Sequence, residues 1–365
     1  MTHLAFERLP HPSPRPAADR QAILADPGFG RHFTDHMVTI GWTADRGWHD
    51  ARLGPYAPLA MDPANMTLHY GQAIFEGLKA YPQPDDTVAL FRPEANARRF
   101  QHSARRLAMP ELPVDTFIQA CELLVRQDRA WVPRGAERSL YLRPFMIATE
   151  NALGVKPASS YLFVVIASPA GAFFPGGVEP VSVWVTQRYV RAAPGGTGAA
   201  KCAGNYAGSL IAQAEAAEHG CDQVVWLDAL ERRWIEEVGV TNLCFVHGTG
   251  SEARVVTPRL TDTLLAGVTR DSLLTIADEL GYPTHETRIS LQEWQEGCAD
   301  GSISEVFACG TAAVITPVGH ARTEDTAWTV ADGRPGPVSM RLREALLQRQ
   351  TGLTADPHGW LRPCA

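Results

Sequence analysis

The chain has 365 residues, of which 45% are hydrophobic and 20% charged, and its formal net charge is −7. This length favours two domains, and the composition is that of a globular chain with a large apolar core. The acidic balance, without a basic stripe of interleaved aromatic residues, argues against a nucleic-acid-binding protein. The longest apolar runs, such as 161–167, are too short to span a bilayer.

The cysteines indicate a reducing compartment, because they are odd in number and include no Cys-x-x-Cys pair. The first residues are polar, charged and rich in proline, so no secretory signal is predicted and we expect a cytoplasmic protein. No cluster of His, Cys and Asp has the spacing of a metal site, and we predict none.

Prolines and polar residues dominate positions 1–28, which predicts a flexible arm. From Phe33 onward, strand alternation and helix-start signals replace that composition. The elements predicted in the first half are, in chain order, strands at 37–42 and 87–91, a helix from Pro93 to about Met109, a helix at 116–131 capped by Asp115, and strands at 139–143 and 161–168.

The run Phe173-Phe174-Pro175-Gly176-Gly177 interrupts this pattern and predicts an interdomain linker at 173–183. The elements predicted beyond it are strands at 181–186, 223–227, 243–247 and 306–309, and helices at 207–219 and 269–280, which Gly220 and Gly281 close. This alternation predicts an α/β fold with a small N-terminal domain at 29–172 and a large C-terminal domain at 184–365.

Lys201 is the first candidate catalytic residue, because glycine-rich stretches flank it on both sides. Small neighbours let a planar ligand approach the backbone, and an amine that loses solvent becomes nucleophilic. Glu236 and Glu237 are adjacent, so on a strand one would meet a ligand and the other is expected to be solvated. A lysine and a buried carboxylate suit pyridoxal phosphate, although an exposed loop lysine is the commoner case.

Other candidate residues each have an ordinary structural alternative. Thr269 begins a helix whose free N–H groups suit an anion, but a simple threonine cap gives the same pattern. Arg99 offers a bidentate fork to phosphate, but helix arginines commonly form a solvated face. Tyr70, Tyr141 and Tyr206 are core tyrosines by default, or part of an aromatic wall around an apolar ligand.

Several motifs together resemble, in order and spacing, the branched-chain amino-acid aminotransferases, which are pyridoxal-phosphate enzymes of fold type IV. The resemblance extends from about Phe29 to the C-terminus and is closer to the longer, eukaryote-like branch than to the shorter enterobacterial one. The matching segments are Phe33 to Met37; His69 to Gly77; Phe91-Arg92-Pro93 with Asn96 and Arg99; Leu140 to Pro144; Phe174 to Gly177; Lys201 with Gly204-Asn205-Tyr206; Glu237-Val238-Gly239 with Asn242; Gly267 to Arg270; and Gly310-Thr311-Ala312.

The resemblance implies a two-domain fold and a role for each cofactor-contacting residue. Lys201 would hold pyridoxal 5'-phosphate as a Schiff base and act as general base and acid. Glu237 would bind the pyridine nitrogen, which selects it over Glu236. Tyr206 would contact the phenolate oxygen O3′. The phosphate would be held by Arg99, Val268, Thr269 and Thr311.

The same resemblance implies where the substrate binds. Backbone N–H groups of Thr311 and Ala312, assisted by Tyr70, would bind the substrate carboxylate. The residues implied for the apolar side-chain pocket and for the second carboxylate of glutamate are Phe29, Phe75, Tyr141 and Arg143. Leu153 and Val155 would reach the pocket of the other subunit, which makes a homodimer necessary for a complete site.

The chain departs from the family pattern at four positions. Ala313 and Thr316 stand where mammalian members carry a Cys-x-x-Cys pair, so no redox switch of that kind is predicted. Val240 replaces a threonine that often follows Glu-Val-Gly, and Phe173 replaces a tyrosine before the linker. Each of these two replacements removes a hydroxyl group.

The activity that the resemblance implies is reversible amino transfer between L-leucine, L-isoleucine or L-valine and 2-oxoglutarate, with L-glutamate as the other amino acid, by a ping-pong route. One alternative is a lyase acting on aminodeoxychorismate, which the long chain and the Tyr141-Leu142-Arg143-Pro144 segment disfavour. A D-amino-acid aminotransferase is a second alternative. A non-catalytic binding protein is a third, which the joint presence of Lys201, Glu237, Tyr206 and Arg99 disfavours.

Overall fold

A computed structural model describes residues 4–172 and 176–364. The strands, in chain order, are β1 (Glu7–Arg8), β2 (His36–Thr43), β3 (Gly47–Pro55), β4 (Ala73–Phe75), β5 (Leu78–Pro82), β6 (Val88–Phe91), β7 (Ser139–Ala148), β8 (Ser160–Ala170), β9 (Val181–Val185), β10 (Gln223–Leu227), β11 (Ile235–Val238), β12 (Thr241–His247), β13 (Arg254–Pro258), β14 (Thr284–Thr287), β15 (Ile303–Gly310), β16 (Val314–Arg322), β17 (Ala327–Thr329) and β18 (Leu361–Pro363).

The α-helices are α1 (Ala17–Ala25), α2 (Met66–Tyr70), α3 (Pro93–Arg106), α4 (Val114–Gln127), α5 (Ala203–Ala207), α6 (Leu210–Glu218), α7 (Val268–Glu279), α8 (Leu291–Asp300) and α9 (Pro337–Gln350). This mixture of helices and strands confirms the predicted α/β class. Among the described residues, no helix combines the length and the apolar character needed to cross a membrane.

The chain divides into two compact units. Unit 1 contains Met1–Pro175, Ala200–Ala203 and Arg349–Ala365, and unit 2 contains Gly176–Ala199 and Gly204–Gln348. Two segments that the sequence assigned to the C-terminal domain, 200–203 and 349–365, therefore cluster with the N-terminal unit. The second segment does so because β18 pairs with β6, with Leu361 opposite Phe91.

Unit 1 is built on a nine-stranded sheet in the order β1-β3-β2-β8-β7-β5-β6-β18, with β4 paired to β7. Helix α3 begins with Pro93 at its first position and buries Phe100 on its apolar face. The Phe100 ring lies 5.5 Å from the rings of both Phe117 on α4 and Phe163 on β8. This aromatic cluster packs both helices onto the sheet, so α3 presents Arg99 from a firmly packed element.

Unit 2 is also built on a nine-stranded sheet, in the order β11-β10-β9-β16-β15-β12-β13-β14, with β17 on β16. Strand β11 pairs with β12 as well as with β10, which closes the strands from β11 to β12 into a ring. At the closing contact, Glu237 lies opposite Asn242. All four residues of β11 are buried, so both faces of this strand are covered by protein.

The part of the predicted arm that the structure describes, residues 4–28, contains regular structure. Strand β1 pairs with β3, and the Arg52 guanidinium donates to Glu7 at 3.1 Å. Ile23 and Leu24 of α1 pack on the core of unit 1. Proline and polar content describes the chain's local preferences, so it did not predict these elements, which have partners distant in sequence.

Two predicted helices differ from the observed ones. Helix α4 begins after Pro113, so Asp115 lies in its first turn rather than at its cap. It ends before Asp128, whose carboxylate contacts His36 Nδ1 at 2.6 Å. The helix predicted at 207–219 is interrupted at Gly208, and the Ser209 hydroxyl donates to the Tyr206 carbonyl at 2.7 Å. Glycine and a side chain that bonds the backbone both weaken a helix locally.

Arg138 is expected to stabilise α1, because its guanidinium donates to the Leu24 carbonyl at 2.8 Å and to the Ala25 carbonyl at 3.1 Å. These are terminal helix carbonyls that have no partner within the helix. We expect Arg138→Met to raise amide hydrogen exchange in α1 about ten-fold, which corresponds to ~1.4 kcal/mol of local stability.

The matched control is Arg134→Met, because Arg134 is an exposed arginine that pairs with an exposed Asp86. Exchange in α1 should not change in this control, since exposed ion pairs contribute little. Equal protection of α1 in the two variants would contradict the role assigned to Arg138.

Candidate active site

Lys201 is held in unit 1 through its backbone. Its N–H donates to the Ser103 hydroxyl at 2.9 Å, and its carbonyl accepts from the Phe75 N–H at 3.0 Å. The half-buried side chain places Nζ 4.9 Å from the centre of the Phe75 ring. By contrast, the amine of Lys156 pairs with Glu150 at the surface. Lys201 is therefore a fixed amine beside an aromatic face, which a surface loop lysine is not.

Glu76 and Arg99 form a buried ion pair in unit 1. Arg99 Nε donates to Glu76 Oε1 at 2.7 Å, and Arg99 Nη2 donates to Glu76 Oε2 at 2.8 Å. The Arg99 side chain is 10% exposed and the Glu76 side chain is 0% exposed. Burial alone would raise the pKa of Glu76, but Arg99, Lys201 and Asn96 outweigh it and hold that pKa below its usual value. Two nitrogens of Arg99 therefore donate to Glu76. Binding of a phosphate by the Arg99 guanidinium stays a prediction.

A chain of aromatic and cationic contacts joins four predicted substrate residues of unit 1. The Arg143 guanidinium lies 4.8 Å from the centre of the Phe75 ring, and its Nη2 donates to the Tyr141 hydroxyl at 3.0 Å. Tyr141 meets the ring of Phe29 edge to face at 5.0 Å. A Cβ at Gly77 would lie 2.0 Å from the Tyr141 oxygen, so glycine is required there for the hydroxyl to reach its position.

Tyr70 and the loop at 153–155 also contact each other. The Tyr70 hydroxyl donates to the Leu153 carbonyl. Leu153 and Val155 are 67% and 82% exposed, although both are apolar. Exposed apolar side chains on a loop fixed by a hydrogen bond suit a protein contact, so the predicted contact with a second subunit stays open as a prediction.

Glu237 is a buried carboxylate of unit 2 that has two identified partners. Its Oε1 accepts the Leu265 N–H at 2.5 Å, and its Oε2 lies 3.2 Å from Arg191 Nε. Both partners favour the ionised form over the neutral acid. Each carboxylate oxygen can accept more than one donor, so this group can also bind the protonated nitrogen of a pyridine ring.

Glu236 is not solvated, contrary to the prediction. It is 6% exposed and accepts a hydrogen bond from the Thr263 hydroxyl, while its Oε2 is buried without a partner. Burial raises the pKa of Glu236, although Thr263 and Arg191 oppose this. The alternation of side chains was predicted correctly, but burial on both faces of β11 leaves no solvated side for either residue.

Two of the glycines before Lys201 lie close to the backbone of unit 2. A Cβ at Gly198 would lie 2.5 Å from the Thr263 carbonyl oxygen, and one at Gly196 would lie 2.8 Å from the Ala193 carbonyl oxygen. These two glycines therefore permit close backbone packing within unit 2. Beyond them, Asn205 bonds Thr197 through both ends of its amide, which positions the short helix that carries Tyr206.

The start of α7 carries two of the predicted phosphate residues. Val268 is its first residue and Thr269 lies buried in its first turn, after Gly267. Asn242 donates to the Leu265 carbonyl at 3.0 Å, and a Cβ at Gly267 would lie 2.0 Å from the Asn242 amide oxygen. The backbone is thus fixed where the free N–H groups of a twelve-residue helix favour an anion.

Thr311 and Ala312 form the tight turn between β15 and β16, where Gly310 pairs with Val314. Val314 has a φ of 66°, which is unusual for a β-branched residue. Backbone strain of this kind concentrates at functional sites. The sequence motif indicated the turn but not the strain.

Arg191, which contacts Glu237, was not among the residues predicted from the sequence. No local pattern marks a residue whose contacts are distant in sequence.

The departures from the family pattern have simple surroundings. Val240 is 52% exposed in the turn between β11 and β12. Thr316 is buried on β16, and the cysteines of the chain are free thiols. Phe173, together with Phe174 and Pro175 of the predicted linker, lies outside the described residues. Among the residues that the structure describes, no group of His, Cys, Asp or Glu is arranged to hold a metal ion.

Taken unit by unit, these groups fit pyridoxal phosphate. Unit 1 supplies an amine whose backbone is fixed, at Lys201. Unit 2 supplies a buried carboxylate at Glu237 that favours a protonated ring nitrogen, and a helix start at Val268 for an anion. Unit 1 therefore has a group suited to an aldehyde, and unit 2 has groups suited to a pyridine nitrogen and to a phosphate.

Comparison with known proteins gives the same family. Residues 73–321 match the model of the class IV aminotransferases. A probable branched-chain-amino-acid aminotransferase of Streptomyces coelicolor is 62% identical over the whole of both chains. The branched-chain-amino-acid aminotransferase of Mycolicibacterium smegmatis is 57% identical over 98% of each chain.

Solved structures agree with this assignment. The branched-chain amino acid aminotransferase of Escherichia coli superposes with a TM-score of 0.73 at 29% identity, over 89% of this chain and 99% of that one. The enzyme of the same name from T.th., solved with pyridoxamine 5'-phosphate, also has a TM-score of 0.73, at 29% identity, over 89% of this chain and 98% of its own. The resemblance inferred from the motifs is confirmed: the chain belongs to the class IV aminotransferases, which are pyridoxal-phosphate-dependent transferases of fold type IV.

Proposed function

We propose that this protein catalyses reversible amino transfer between L-leucine, L-isoleucine or L-valine and 2-oxoglutarate, which becomes L-glutamate, by a ping-pong route. The observation that carries this proposal is the similarity, over the whole chain, to relatives named branched-chain-amino-acid aminotransferases. The T.th. relative has been solved with 4-methylvaleric acid and with N-(5'-phosphopyridoxyl)-L-glutamate. These two ligands represent a branched apolar substrate and glutamate, which the same site would have to accept.

Lys201 is the lysine proposed to hold the cofactor, and its amine, when free, would move the proton between the substrate Cα and the cofactor. Pyridoxal phosphate, when bound, supplies the electron sink that stabilises negative charge at that carbon. Glu237 would hold the ring nitrogen protonated, and Tyr206 would donate to the phenolate oxygen. The groups proposed for the phosphate are Arg99, Val268, Thr269 and Thr311.

The substrate site is proposed from the two halves of its chemistry. The backbone N–H groups of Thr311 and Ala312 would bind the α-carboxylate, assisted by the Tyr70 hydroxyl, which would exchange the Leu153 carbonyl for the carboxylate as its acceptor. Phe29, Phe75 and Tyr141 would line the pocket for a branched apolar side chain, since aromatic faces bury it without leaving polar groups unpaired. When glutamate occupies the pocket, its second carboxylate would accept hydrogen bonds from the Tyr141 hydroxyl and from Arg143. These two groups already contact each other at 3.0 Å.

The assembly proposed for this activity is a cytoplasmic homodimer. The exposed loop with Leu153 and Val155 supports it, because apolar side chains 67% and 82% exposed gain stability when a partner covers them. In the dimer this loop would complete the pocket of the other subunit.

The test of function is the visible absorption of the protein reconstituted with pyridoxal phosphate, followed as single amino acids are added without a keto acid. Loss of the cofactor band with L-leucine, L-isoleucine, L-valine and L-glutamate, but not with D-alanine, is the expected result. A band that none of these amino acids changes would contradict the proposal and indicate a lyase.

Lys201→Ala should abolish this response and lower steady-state turnover by at least about 10³-fold, since the amine that moves the proton is lost. The fold should persist, because the hydrogen bonds to Ser103 and Phe75 use the backbone of residue 201. Circular dichroism and thermal unfolding provide the control. Substantial turnover in the folded variant would disprove the assignment.

Tyr141→Phe should lower kcat/KM for L-glutamate about ten-fold while that for L-leucine changes by less than about two-fold. The reason is that a carboxylate needs the lost hydroxyl and a leucine side chain does not. Tyr161→Phe is the matched control, because Tyr161 is a buried tyrosine on the neighbouring strand β8. Equal losses for both substrates would show that Tyr141 does not discriminate between them.

Glu237→Gln and Glu236→Gln form a matched pair, since the residues are adjacent and both buried. Glu237→Gln should lower turnover about 10²-fold or more because the ring nitrogen loses its anionic partner, whereas cofactor binding through the phosphate should persist. Glu236→Gln should change turnover by less than about two-fold, because an amide replaces a carboxyl group whose neutral form burial favours. A loss of cofactor alone in Glu237→Gln would contradict its role.

The same pair has a predicted pH dependence. Burial raises the pKa of Glu236 in the folded state above its ordinary value of 4.5. Its contribution to stability is therefore fully present below pH 4.5 and is lost as the pH rises through the folded value. The thermal stability of Glu236→Gln relative to the wild type should be greatest near pH ~8 and should decrease toward about pH 4.5. A difference that does not vary with pH would exclude titration of Glu236 in this range.

A further inference from the structure

Arg191 is a buried cation that contacts Glu237 in unit 2. The two side chains are 7% and 3% exposed, and Arg191 Nε lies 3.2 Å from Glu237 Oε2. At this distance the charges interact strongly, but the Nε–H does not point along the line of a hydrogen bond. The pair is therefore an electrostatic contact that excludes water, and it favours the ionised carboxylate.

The same guanidinium also fixes backbone on two sides. Its Nη2 donates to the Gly198 carbonyl at 3.3 Å and to the Thr263 carbonyl. Thr263 lies two residues before Leu265, whose N–H is the other identified donor to Glu237, at 2.5 Å. Arg191 thus contacts the carboxylate directly and also holds the loop that supplies the second donor.

The neighbouring carboxylate, Glu236, has a different identified partner from Glu237. Glu236 accepts from the Thr263 hydroxyl, and its second oxygen is buried without a partner. Burial favours the neutral form of Glu236, whereas Glu237 has both a cation and an amide N–H. The arginine and the amide N–H therefore favour the ionised form of Glu237, while burial raises the pKa of Glu236.

We propose that Arg191 is a positioning residue that keeps Glu237 ionised and oriented toward the pyridine nitrogen of the cofactor. This role rests on the proposed function, because Glu237 must hold that nitrogen for Arg191 to act through it. A residue that acts in this way should affect the protonation of the ring nitrogen as well as turnover. A merely structural residue would affect folding and cofactor content only.

The first experiment measures the ¹⁵N chemical shift of pyridoxal phosphate labelled at the ring nitrogen, bound to the full-length protein. In the wild type the shift should be that of a protonated ring. Arg191→Met should move it toward the unprotonated value and lower kcat about 10- to 100-fold, the range found when a group that orients a ligand is removed. An unchanged shift together with kcat near the wild-type value would overturn the proposal.

Arg191→Lys is the conservative variant and keeps the charge without the planar fork. It should retain the shift of a protonated ring while binding the cofactor several-fold more weakly, because one carbonyl contact or both are lost. If Arg191→Met does not fold, this variant decides the question. Loss of ring protonation in Arg191→Lys would show that charge beside Glu237 is not what matters.

The second experiment is a double-mutant cycle with Glu237→Gln. If Arg191 acts through Glu237, adding Arg191→Met to Glu237→Gln should lower kcat by less than about two-fold further, since the carboxylate is already gone. Multiplicative losses would overturn the proposal. A wild-type shift and wild-type turnover in Glu237→Gln alone would instead disprove the proposed role of Glu237, so the two failures are distinguishable.

Arg232→Met is the matched control for loop stability. The Arg232 guanidinium donates to the Gln187 and Arg188 carbonyls, both at 3.2 Å, on the segment that leads to Arg191. It therefore holds this part of the chain through two carbonyls but has no identified contact with Glu237. The ¹⁵N shift should be unchanged in this variant. The same displacement as in Arg191→Met would reduce Arg191 to a loop contact.

Discussion

Burying an ionised carboxylate is stable only when a cation or several donors are buried with it, and this constraint organises both units. In unit 1, Glu76 is fully buried and meets the fork of Arg99. In unit 2, Glu237 meets Arg191 and the Leu265 N–H. Each pair joins segments distant in sequence, so the positions of the helices and loops around it depend on the pair being intact.

The surrounding architecture follows from the need to hold these pairs. Glu76 follows β4 directly, whereas Arg99 lies on α3. The neighbouring residue of that helix, Phe100, packs against the rings of Phe117 and Phe163. Packing fixes the helix, and the helix fixes the guanidinium. In unit 2 the pairing of β11 with β12 places Asn242 opposite Glu237, and Asn242 in turn bonds the loop before α7. A single ring closure therefore orders both the carboxylate and the start of the helix.

Local pattern predicted part of the secondary structure, because strand alternation and glycine stops are local properties, whereas elements such as β16, α8 and α9 were not predicted. The strand expected at 223–227 is β10, and the helix expected at 269–280 is α7 displaced by one residue. The elements β1 and α1 were not predicted, because their contacts with β3 and Arg138 join residues distant in sequence. The packing of Gly198 was not predicted, because its neighbour Thr263 is a contact that no local pattern contains.

The candidate site divides in the same way. Motif order identified Lys201, Glu237 and Thr269 as residues, but it did not predict what surrounds them. The dipeptide Glu236-Glu237 illustrates why. Alternation along β11 separates the two side chains, and burial on both faces gives neither one solvent. These two adjacent, buried carboxylates therefore differ in their hydrogen-bond and charged partners rather than in their exposure to solvent. The Thr263 hydroxyl donates to Glu236, whereas Arg191 favours the ionised form of the adjacent Glu237.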